Sequence, residues 1–199
     1  MSLVIVNSGG ANIASIIFAF ERIGVTPHYT DDIDTIQSAD RVVLPGVGAA
    51  KDAIQGLKNK GLIPVIKSLT QPVFGICLGM QLLFDHSEEG GTEMLGLIPA
   101  KVAHFKPGVG KTIPHIGWNN VSLSMDHPLT HGLKDESYFY FVHSYCAQNG
   151  DYTVGACDYM GEVFTAIAAK DNVMGCQFHP ERSAEEGLQI LKNFMELKL

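Results

Sequence analysis

One cysteine lies between two glycines in the segment FGICLGMQ, residues 74–81. Gly75 and Gly79 stand two positions before and two positions after Cys77, which is the spacing of a nucleophile elbow, where a strand turns sharply into a helix. The flanks agree, because PVFGI predicts a buried strand and LGMQLLF predicts the start of an apolar helix. At a helix N-terminus, free N–H groups and a partial positive charge favour the reactive thiolate. The pattern therefore predicts a nucleophilic cysteine, and the alternative is a buried structural cysteine.

A second segment, QFHPERS at residues 177–183, contains a candidate base for the cysteine and a carboxylate that could orient this base. A strand ending at Gln177 and Phe178 would bring His179 to the carboxyl edge of the sheet, where an elbow cysteine also emerges. If the backbone stays extended, His179 and Glu181 share one face. Glu181 can then accept a hydrogen bond from one imidazole nitrogen while the other nitrogen faces the thiol. A histidine alone is more often a packed or surface residue, but together with the elbow it predicts a Cys–His–Glu set.

The elements that position these segments alternate in the first half of the chain. Strands are predicted for LVIV, RVVLP and PVFGI, and helices for ANIASIIFAFERIG and AAKDAIQGLKNKG, the second continuing into LIPVIKSL. From about residue 100, short β-rich runs follow: AKVAHF, IGWNNVSL, SYFYFVHSYCA, YTVGACDY, EVFTAIAAK and VMGCQF, with KDN as a hairpin turn. A last helix begins with a capping box at Ser183 and Glu186. We predict one α/β domain over residues 1–199, with a mixed sheet that is parallel at its centre and has antiparallel additions.

Composition narrows the classes of function. The chain has 199 residues, of which 46% are hydrophobic and 18% charged, as in a globular protein. A net charge of −7 argues against general nucleic-acid binding. The four cysteines form no CxxC pair, which predicts a reducing cytoplasm and no metal site. His104, His115, His127 and His131 also lack helical ligand spacing. The opening MSLVIVNSGG predicts no signal peptide, and no run reaches the ~20 apolar residues of a membrane span.

The segments GICLGMQLLF and QFHPERS together resemble the motifs of the class I, or triad, glutamine amidotransferases, and the resemblance covers essentially the whole chain. PGVG at 45–48, PHIGWN at 114–119, FVHSY at 141–145 and NSGGANIAS near the start are similar to one branch. That branch comprises the glutaminase subunits of imidazole glycerol phosphate synthase, from histidine biosynthesis. The chain departs from the pattern of this branch at Asn7, where we expect an acidic residue. The resemblance implies a flavodoxin-like, mainly parallel sheet with helices on both faces.

The resemblance also implies a mechanism that needs no cofactor. Cys77 would attack the side-chain amide of glutamine, His179 would transfer protons, and Glu181 would orient the imidazole. Ammonia would leave, and water would hydrolyse the thioester to glutamate. The tetrahedral oxygen needs backbone donors, and the alternative for PGVG is an ordinary strand-to-helix turn. The candidate donors are Val47, Gly48 and Leu78.

Contacts with the glutamine main chain follow from the same resemblance. Gln81 and Glu89 would bind the α-amino and α-carboxylate ends of the substrate, and the backbone of HSY would line the same pocket. Each of these residues could instead be a plain surface or packing residue. The HSY residues are His143, Ser144 and Tyr145.

A partner is implied as well. It is the cyclase of the same synthase, a (β/α)8 barrel that forms a heterodimer with the chain and receives the ammonia. Such a complex makes imidazole glycerol phosphate and AICAR from phosphoribulosyl-formimino-AICAR ribonucleotide. Aromatic residues near the site mouth are predicted to form the interface, although Trp118 and one tyrosine could instead pack in the core. The interface candidates are Asn12, Trp118, Tyr138 and Tyr140.

Three competing functions remain open from the sequence. The chain could be the glutaminase subunit of another biosynthetic pathway. It could also be a free-standing cysteine hydrolase or peptidase on a similar scaffold, which glutamine-specific hydrolysis stimulated by a partner would exclude. A catalytically silent binding module is the third, and the intact Cys–His–Glu set argues against it.

Overall fold

The computed structural model describes residues 1–9 and 13–198. These ranges contain strands in two sheets, and six α-helices. The strands are β1 (Leu3–Val6), β2 (His28–Thr30), β3 (Arg41–Gly46), β4 (Val73–Cys77), β5 (Phe84–Ser87), β6 (Thr92–Glu93), β7 (Ile98–His104), β8 (His115–Leu123), β9 (Ser137–His143), β10 (Tyr145–Ala147), β11 (Thr153–Tyr159), β12 (Glu162–Lys170) and β13 (Val173–Cys176). The helices are α1 (Ile13–Arg22), α2 (Ile33–Ser38), α3 (Ala50–Asn59), α4 (Leu62–Ser68), α5 (Leu78–Gln81) and α6 (Ala184–Glu196).

The larger sheet has the strand order β2-β1-β3-β4-β13-β12-β11-β8-β9. Pairing is parallel from β2 through β13 and antiparallel from β13 to β9. The predicted mixed sheet with antiparallel additions is therefore confirmed, but its parallel strands occupy one side of the sheet rather than its centre. A smaller sheet, ordered β10-β7-β5-β6, was not predicted. The KDN turn joins β12 to β13 in register, since Lys170 pairs with Val173.

Helices cover both faces of the larger sheet. Phe20 of α1 and Phe194 of α6 belong to one buried apolar cluster, and Leu57 of α3 and Ile66 of α4 belong to the other. Alternate residues of β1 join the two clusters, as the two-residue period of a strand requires. Because both faces are buried, the parallel strands read as continuous apolar runs. None of the described helices is long and apolar enough to cross a membrane.

The apolar helix predicted to begin at LGMQLLF is wrong in its length, because α5 has only four residues. The carbonyls of Leu82 and Leu83 accept hydrogen bonds from the N–H groups of Leu95 and Leu97. Those carbonyls are no longer available to continue the helix, and the chain enters β5 at Phe84. A single turn adds little macrodipole. The helix dipole predicted to favour the thiolate is therefore weak here, and the backbone N–H groups remain.

Two other predicted elements divide differently in the structure. SYFYFVHSYCA becomes β9 and β10, which belong to different sheets, and the break falls at Ser144, whose carbonyl accepts the N–H of Phe105. LIPVIKSL forms the separate helix α4, because Gly61 before it has a left-handed φ of 68°. The short elements β2 and α2 were not predicted. Asp32 caps α2 by accepting the N–H of Thr35 at 2.9 Å.

Candidate active site

Strand β4 ends in the predicted elbow. Cys77 has φ 53° and ψ −112°, a strained conformation for a residue other than glycine. A Cβ on Gly79 would lie 1.8 Å from the carbonyl oxygen of Leu44, and a Cβ on Gly75 would lie 2.5 Å from the backbone nitrogen of Met80. The prediction that both glycines serve a turn too tight for side chains is therefore confirmed.

We expect Gly79→Ala to destabilise the chain by about 4 kcal/mol or to prevent folding, because a backbone carbonyl cannot move aside as a flexible side chain can. The free energy of unfolding in urea, followed by circular dichroism, measures the effect. Gly108→Ala is the matched control, since its Cβ would lie 3.6 Å from the Cβ of Lys111, an ordinary contact. Equal unfolding midpoints for the Gly79→Ala and unsubstituted chains would contradict the close packing of the elbow.

His179 lies between Cys77 and Glu181. Its Nδ1 is 2.9 Å from Oε1 of Glu181, and His179 and Cys77 line the same cavity. The predicted extended backbone is wrong, because Pro180–Arg182 form a 3-10 turn. Proline suits the first position of such a turn, where its fixed φ is helical and its missing N–H is not needed. The carboxylate still reaches the imidazole, by curling back rather than by alternating along a strand.

The electrostatic environment favours a charged imidazole. Burial alone would lower the pKa of His179, but its interactions with the neighbouring Cys77 and Glu181 side chains raise it to about 10. The side chain of Glu181 is 5% exposed, and its Oε2 has no hydrogen-bond partner among residues 1–9 and 13–198. The imidazolium thus compensates most of this buried negative charge. At neutral pH the protonated form of His179 is favoured beside the sulfur.

Ser183 holds the backbone of His179 instead of forming the predicted capping box. Its Oγ donates to the carbonyl of His179 at 2.7 Å and accepts the N–H of Tyr140 at 3.0 Å. The N–H of His179 donates to the carbonyl of Tyr140 at 2.9 Å. The hydroxyl is therefore engaged away from α6, which shows no side-chain cap at its start. These bonds fix the turn that carries the imidazole to strand β9.

A cavity of about 340 Å³ opens beside Cys77, within the size range of small-molecule sites. It brings together every residue predicted to contact the oxyanion or the glutamine main chain. Those residues are Val47, Gly48, Leu78, Gln81, Glu89, His143, Ser144 and Tyr145. Pro114 and Val142, which were not predicted, complete much of the wall.

The PGVG segment reaches the cavity through the register of the sheet. Gly46 pairs with Cys77 across β3 and β4, so the next residues emerge at the same edge. Val47 is 40% exposed, and Gly48 has a φ of +90°, which favours glycine. Glu89 Oε2 accepts the N–H of Ala50, the first residue of α3, at 2.6 Å. This bond ties the opposite wall of the cavity to the helix that follows the segment.

Gln81 and His143 turn their side chains into the protein. Nε2 of Gln81 donates to the carbonyl of Tyr145 and to Oε1 of Gln177, each at 2.9 Å. Nδ1 of His143 lies 2.9 Å from the same carbonyl, and its Nε2 lies 3.0 Å from Nδ1 of His115. Burial lowers the pKa of His143 to about 3 and that of His115 to about 4, so both imidazoles are neutral at pH 7.

Three of the four interface candidates lie on one face of the β8–β9 ribbon. Trp118 pairs with Tyr140 in register, and their ring centroids are 6.1 Å apart. Trp118 is 52% and Tyr138 57% exposed, which excludes core packing for the tryptophan. Ile116 shares this face and is 60% exposed, although it was not predicted; the two-residue alternation in HIGWNN could have indicated it. Asn12 lies outside the described residues.

Gln177 is the main residue near the nucleophile to which the sequence assigned no role. It is fully buried, and its Nε2 lies 3.7 Å from Sγ of Cys77. The only signal for it was a single amide inside the apolar run VMGCQF.

Asn7 accepts a hydrogen bond from the hydroxyl of Tyr29 at 2.7 Å, and nothing else in the structure explains why asparagine stands where an acidic residue was expected. Among the described residues, no cluster of histidine, cysteine, aspartate and glutamate could hold a metal ion.

Comparison with known proteins identifies the family of the chain. The family model for "Glutamine amidotransferase class-I" matches residues 4–197. The chain is 50% identical to imidazole glycerol phosphate synthase subunit HisH of Pasteurella multocida, over 98% of each chain. It is 48% identical to the protein of the same name from Xanthomonas axonopodis, over 98% of this chain and 97% of the relative.

Solved structures share the fold at low sequence identity. A glutamine amidotransferase from Thermotoga maritima matches with a TM-score of 0.63 and 21% identity, covering 98% of this chain and 81% of that one. A second structure, described as a glutamine amidotransferase, matches with a TM-score of 0.76 and 15% identity over 98% of both chains. The chain therefore belongs to the class I glutamine amidotransferases and, within them, to the HisH subunits of imidazole glycerol phosphate synthase.

Proposed function

We propose that this chain is the glutaminase subunit of an imidazole glycerol phosphate synthase and that Cys77, His179 and Glu181 carry the reaction. The observation that supports this most directly is the imidazole of His179, which lines the same cavity as the elbow cysteine and is hydrogen-bonded to a buried carboxylate. An activated thiol with a base and an orienting carboxylate is the arrangement that acyl transfer needs. Residues 1–199 would form the single domain that this activity requires.

The reaction would begin when Sγ of Cys77 attacks the amide carbon of the glutamine side chain. The N–H of Leu78, together with Val47 or Gly48, would donate to the oxyanion as the carbonyl oxygen becomes negative. His179 would then protonate the leaving nitrogen, so that ammonia departs and a thioester remains. In the second half, His179 would take a proton from water, whose oxygen attacks the thioester and releases glutamate.

Substrate recognition would divide between a charge and the backbone. Glu89 lines the cavity, and its Oε2 accepts a hydrogen bond from the N–H of Ala50. Its Oε1 would then accept a hydrogen bond from the α-ammonium group of glutamine. Gln81 would support the site indirectly, since both hydrogens of its amide are engaged with Tyr145 and Gln177. The backbone of Ser144 and Tyr145 would contact the rest of the amino-acid moiety.

The partner would be the cyclase of the synthase, a (β/α)8 barrel, because relatives at about half identity carry the name of a synthase subunit. Its contact would include the exposed apolar face formed by Ile116, Trp118, Tyr138 and Tyr140, which we call the ribbon face. Val142 continues the same strand into the wall of the cavity. A partner on the ribbon face could thus take up ammonia before it meets bulk water.

The experiment that tests this function is ammonia release from glutamine, measured with and without the cyclase. We expect low activity for the isolated chain and a rise when the partner and its nucleotide substrate are present, because such coupling needs two states that the ligand favours unequally. A free-standing cysteine hydrolase would instead act at full rate alone. Release that is equally fast with and without the cyclase would overturn the partner-coupled function.

Trp118→Ala and Tyr140→Ala are each expected to weaken binding to the cyclase at least about ten-fold, because buried aromatic anchors dominate interface energies. Affinity measured by titration calorimetry checks this. Met125→Ala is the matched control: Met125 is 41% exposed but follows the far end of β8, away from the cavity. Unchanged affinity in both aromatic variants would remove the ribbon face from the interface.

A further inference from the structure

A chain of buried hydrogen bonds ends at the nucleophile. It starts at His115, passes through His143 to the carbonyl of Tyr145, and continues through Gln81 to Gln177. All four side chains are buried. The last link runs from Nε2 of Gln177 to Sγ of Cys77 at 3.7 Å, a distance suited to a sulfur acceptor.

The direction of every bond in this chain is fixed by the carbonyl of Tyr145. A carbonyl oxygen can only accept, so the group of Gln81 that faces it must be the NH2. The second hydrogen of that NH2 points at Gln177, whose facing atom must then be Oε1. The NH2 of Gln177 is therefore the group left to face the sulfur. The opposite orientation would set two NH2 groups against each other, which a buried amide pair cannot sustain.

The neutral histidine pair supports the same direction from the other end. Because His143 is neutral, it has a single N–H, and a nitrogen that faces the carbonyl of Tyr145 must carry it. Its Nε2 is then an acceptor, which the Nδ1–H of His115 satisfies at 3.0 Å. His115 is itself held between the stacked rings of Phe141 and Tyr159. The acceptor capacity of the Tyr145 carbonyl is thus filled by two fixed donors.

We infer that Gln177 is a catalytic residue of the glutaminase site, a fixed N–H donor that stabilises the thiolate form of Cys77, and that Gln81 is the positioning residue that sets its orientation. This deepens the proposed function and rests on Cys77 being its nucleophile. An N–H donor favours the charged form of an acceptor over the neutral form. His179 supplies the proton-transfer group on one side of the sulfur, and Gln177 supplies a donor that cannot titrate.

The rate at which iodoacetamide alkylates Cys77 depends on the fraction of Cys77 that is thiolate, since the thiolate is the reacting form. The other cysteines stay silent: none of them lines the cavity, and burial raises the pKa of Cys146 and of Cys157 to about 12 and that of Cys176 well above its usual value. The rate is measured on the full-length chain over a series of pH values. Peptide mass spectrometry identifies the alkylated cysteine.

Gln177→Met keeps the length of the side chain and removes the donor. We expect its alkylation rate to fall about three- to ten-fold, because the thiolate fraction drops while the more basic sulfur becomes somewhat more nucleophilic. Ammonia release should fall through kcat, with KM for glutamine little changed. Asn193→Leu is the matched control: it removes another buried amide, which donates to the carbonyls of Leu129 and His131, and should leave alkylation unchanged.

Gln81→Met is the second variant, in case Gln177→Met does not fold. It frees the Gln177 amide to rotate, so alkylation should also slow, by a smaller factor. A native alkylation rate in the folded Gln177→Met chain, or in Gln81→Met if only that chain folds, would overturn the inference. Failure of the proposed function looks different: the unsubstituted chain, fully alkylated at Cys77, would still release ammonia.

Discussion

The Cys77→Ser chain is expected to fold and to lose at least about 10³-fold of its glutaminase activity. The reason is chemical, because a hydroxyl ionises far less readily than a thiol and is a poor nucleophile without a dedicated base of matched strength. The substitution replaces one atom at a residue that is 7% exposed, so the elbow and its glycines keep their packing. Steady-state ammonia release in the presence of the cyclase measures the loss.

The remaining cysteines provide the controls for this experiment. Cys146, Cys157 and Cys176 are free and buried, and none of them lines the cavity beside the elbow. Alanine at each should leave most of the activity, apart from what a small packing defect costs in stability. Near-native ammonia release by Cys77→Ser, or a comparable loss in any of the three alanine variants, would show that the nucleophile is assigned wrongly.

Much of the architecture could be predicted because its signals are local. Continuous apolar runs mark strands that are buried on both faces, and the glycine spacing around Cys77 reflects clashes with Leu44 and Met80 that the structure shows. The parallel order of β1, β3 and β4 then places their carboxyl ends at one edge. Residues that follow those strands meet there whatever the details of the loops.

The structural features that the sequence could not predict depend on hydrogen-bond partners that are distant along the chain. LGMQLLF has the pattern of a helix, and the N–H groups of residues 95–98 divert its last three carbonyls. Ser183 has the spacing of a capping box, yet its hydroxyl is taken by His179 and by Tyr140. The bonds from residues 95–98 and the bond from Tyr140 are tertiary contacts that lie outside a short sequence window, and they override the local preference.

The same limit explains why the sequence analysis assigned no role to Gln177. Its position beside a strand end was visible, but its importance depends on which atom of its amide faces Cys77. That orientation is decided by the carbonyl of Tyr145, acting through Gln81. Sequence spacing carries no information on such a bond direction, whereas the structure determines it from the rule that a carbonyl only accepts.

His179→Ala is expected to reduce glutaminase activity about as much as Cys77→Ser does, because residues that act as one unit have non-additive effects. Glu181→Gln should be milder, a loss of about ten- to a hundred-fold, since the amide oxygen can still accept from Nδ1 and hold the ring. The Glu181→Gln substitution removes the negative charge of the carboxylate. Without it, the pKa of His179 falls from about 10, because a neighbouring negative charge had favoured the protonated form.

This difference in charge gives the Glu181→Gln variant a signature that a purely structural defect would not produce. The leaving nitrogen needs the protonated imidazole, which in the unsubstituted chain is retained up to the raised pKa of His179 and lost above it. In the variant the imidazolium deprotonates at lower pH, so the alkaline limb of the activity profile moves toward neutral pH. Ammonia release measured across pH, with thermal stability followed in parallel, separates the two causes. A profile of unchanged shape in Glu181→Gln, or full activity in His179→Ala, would exclude the assigned roles.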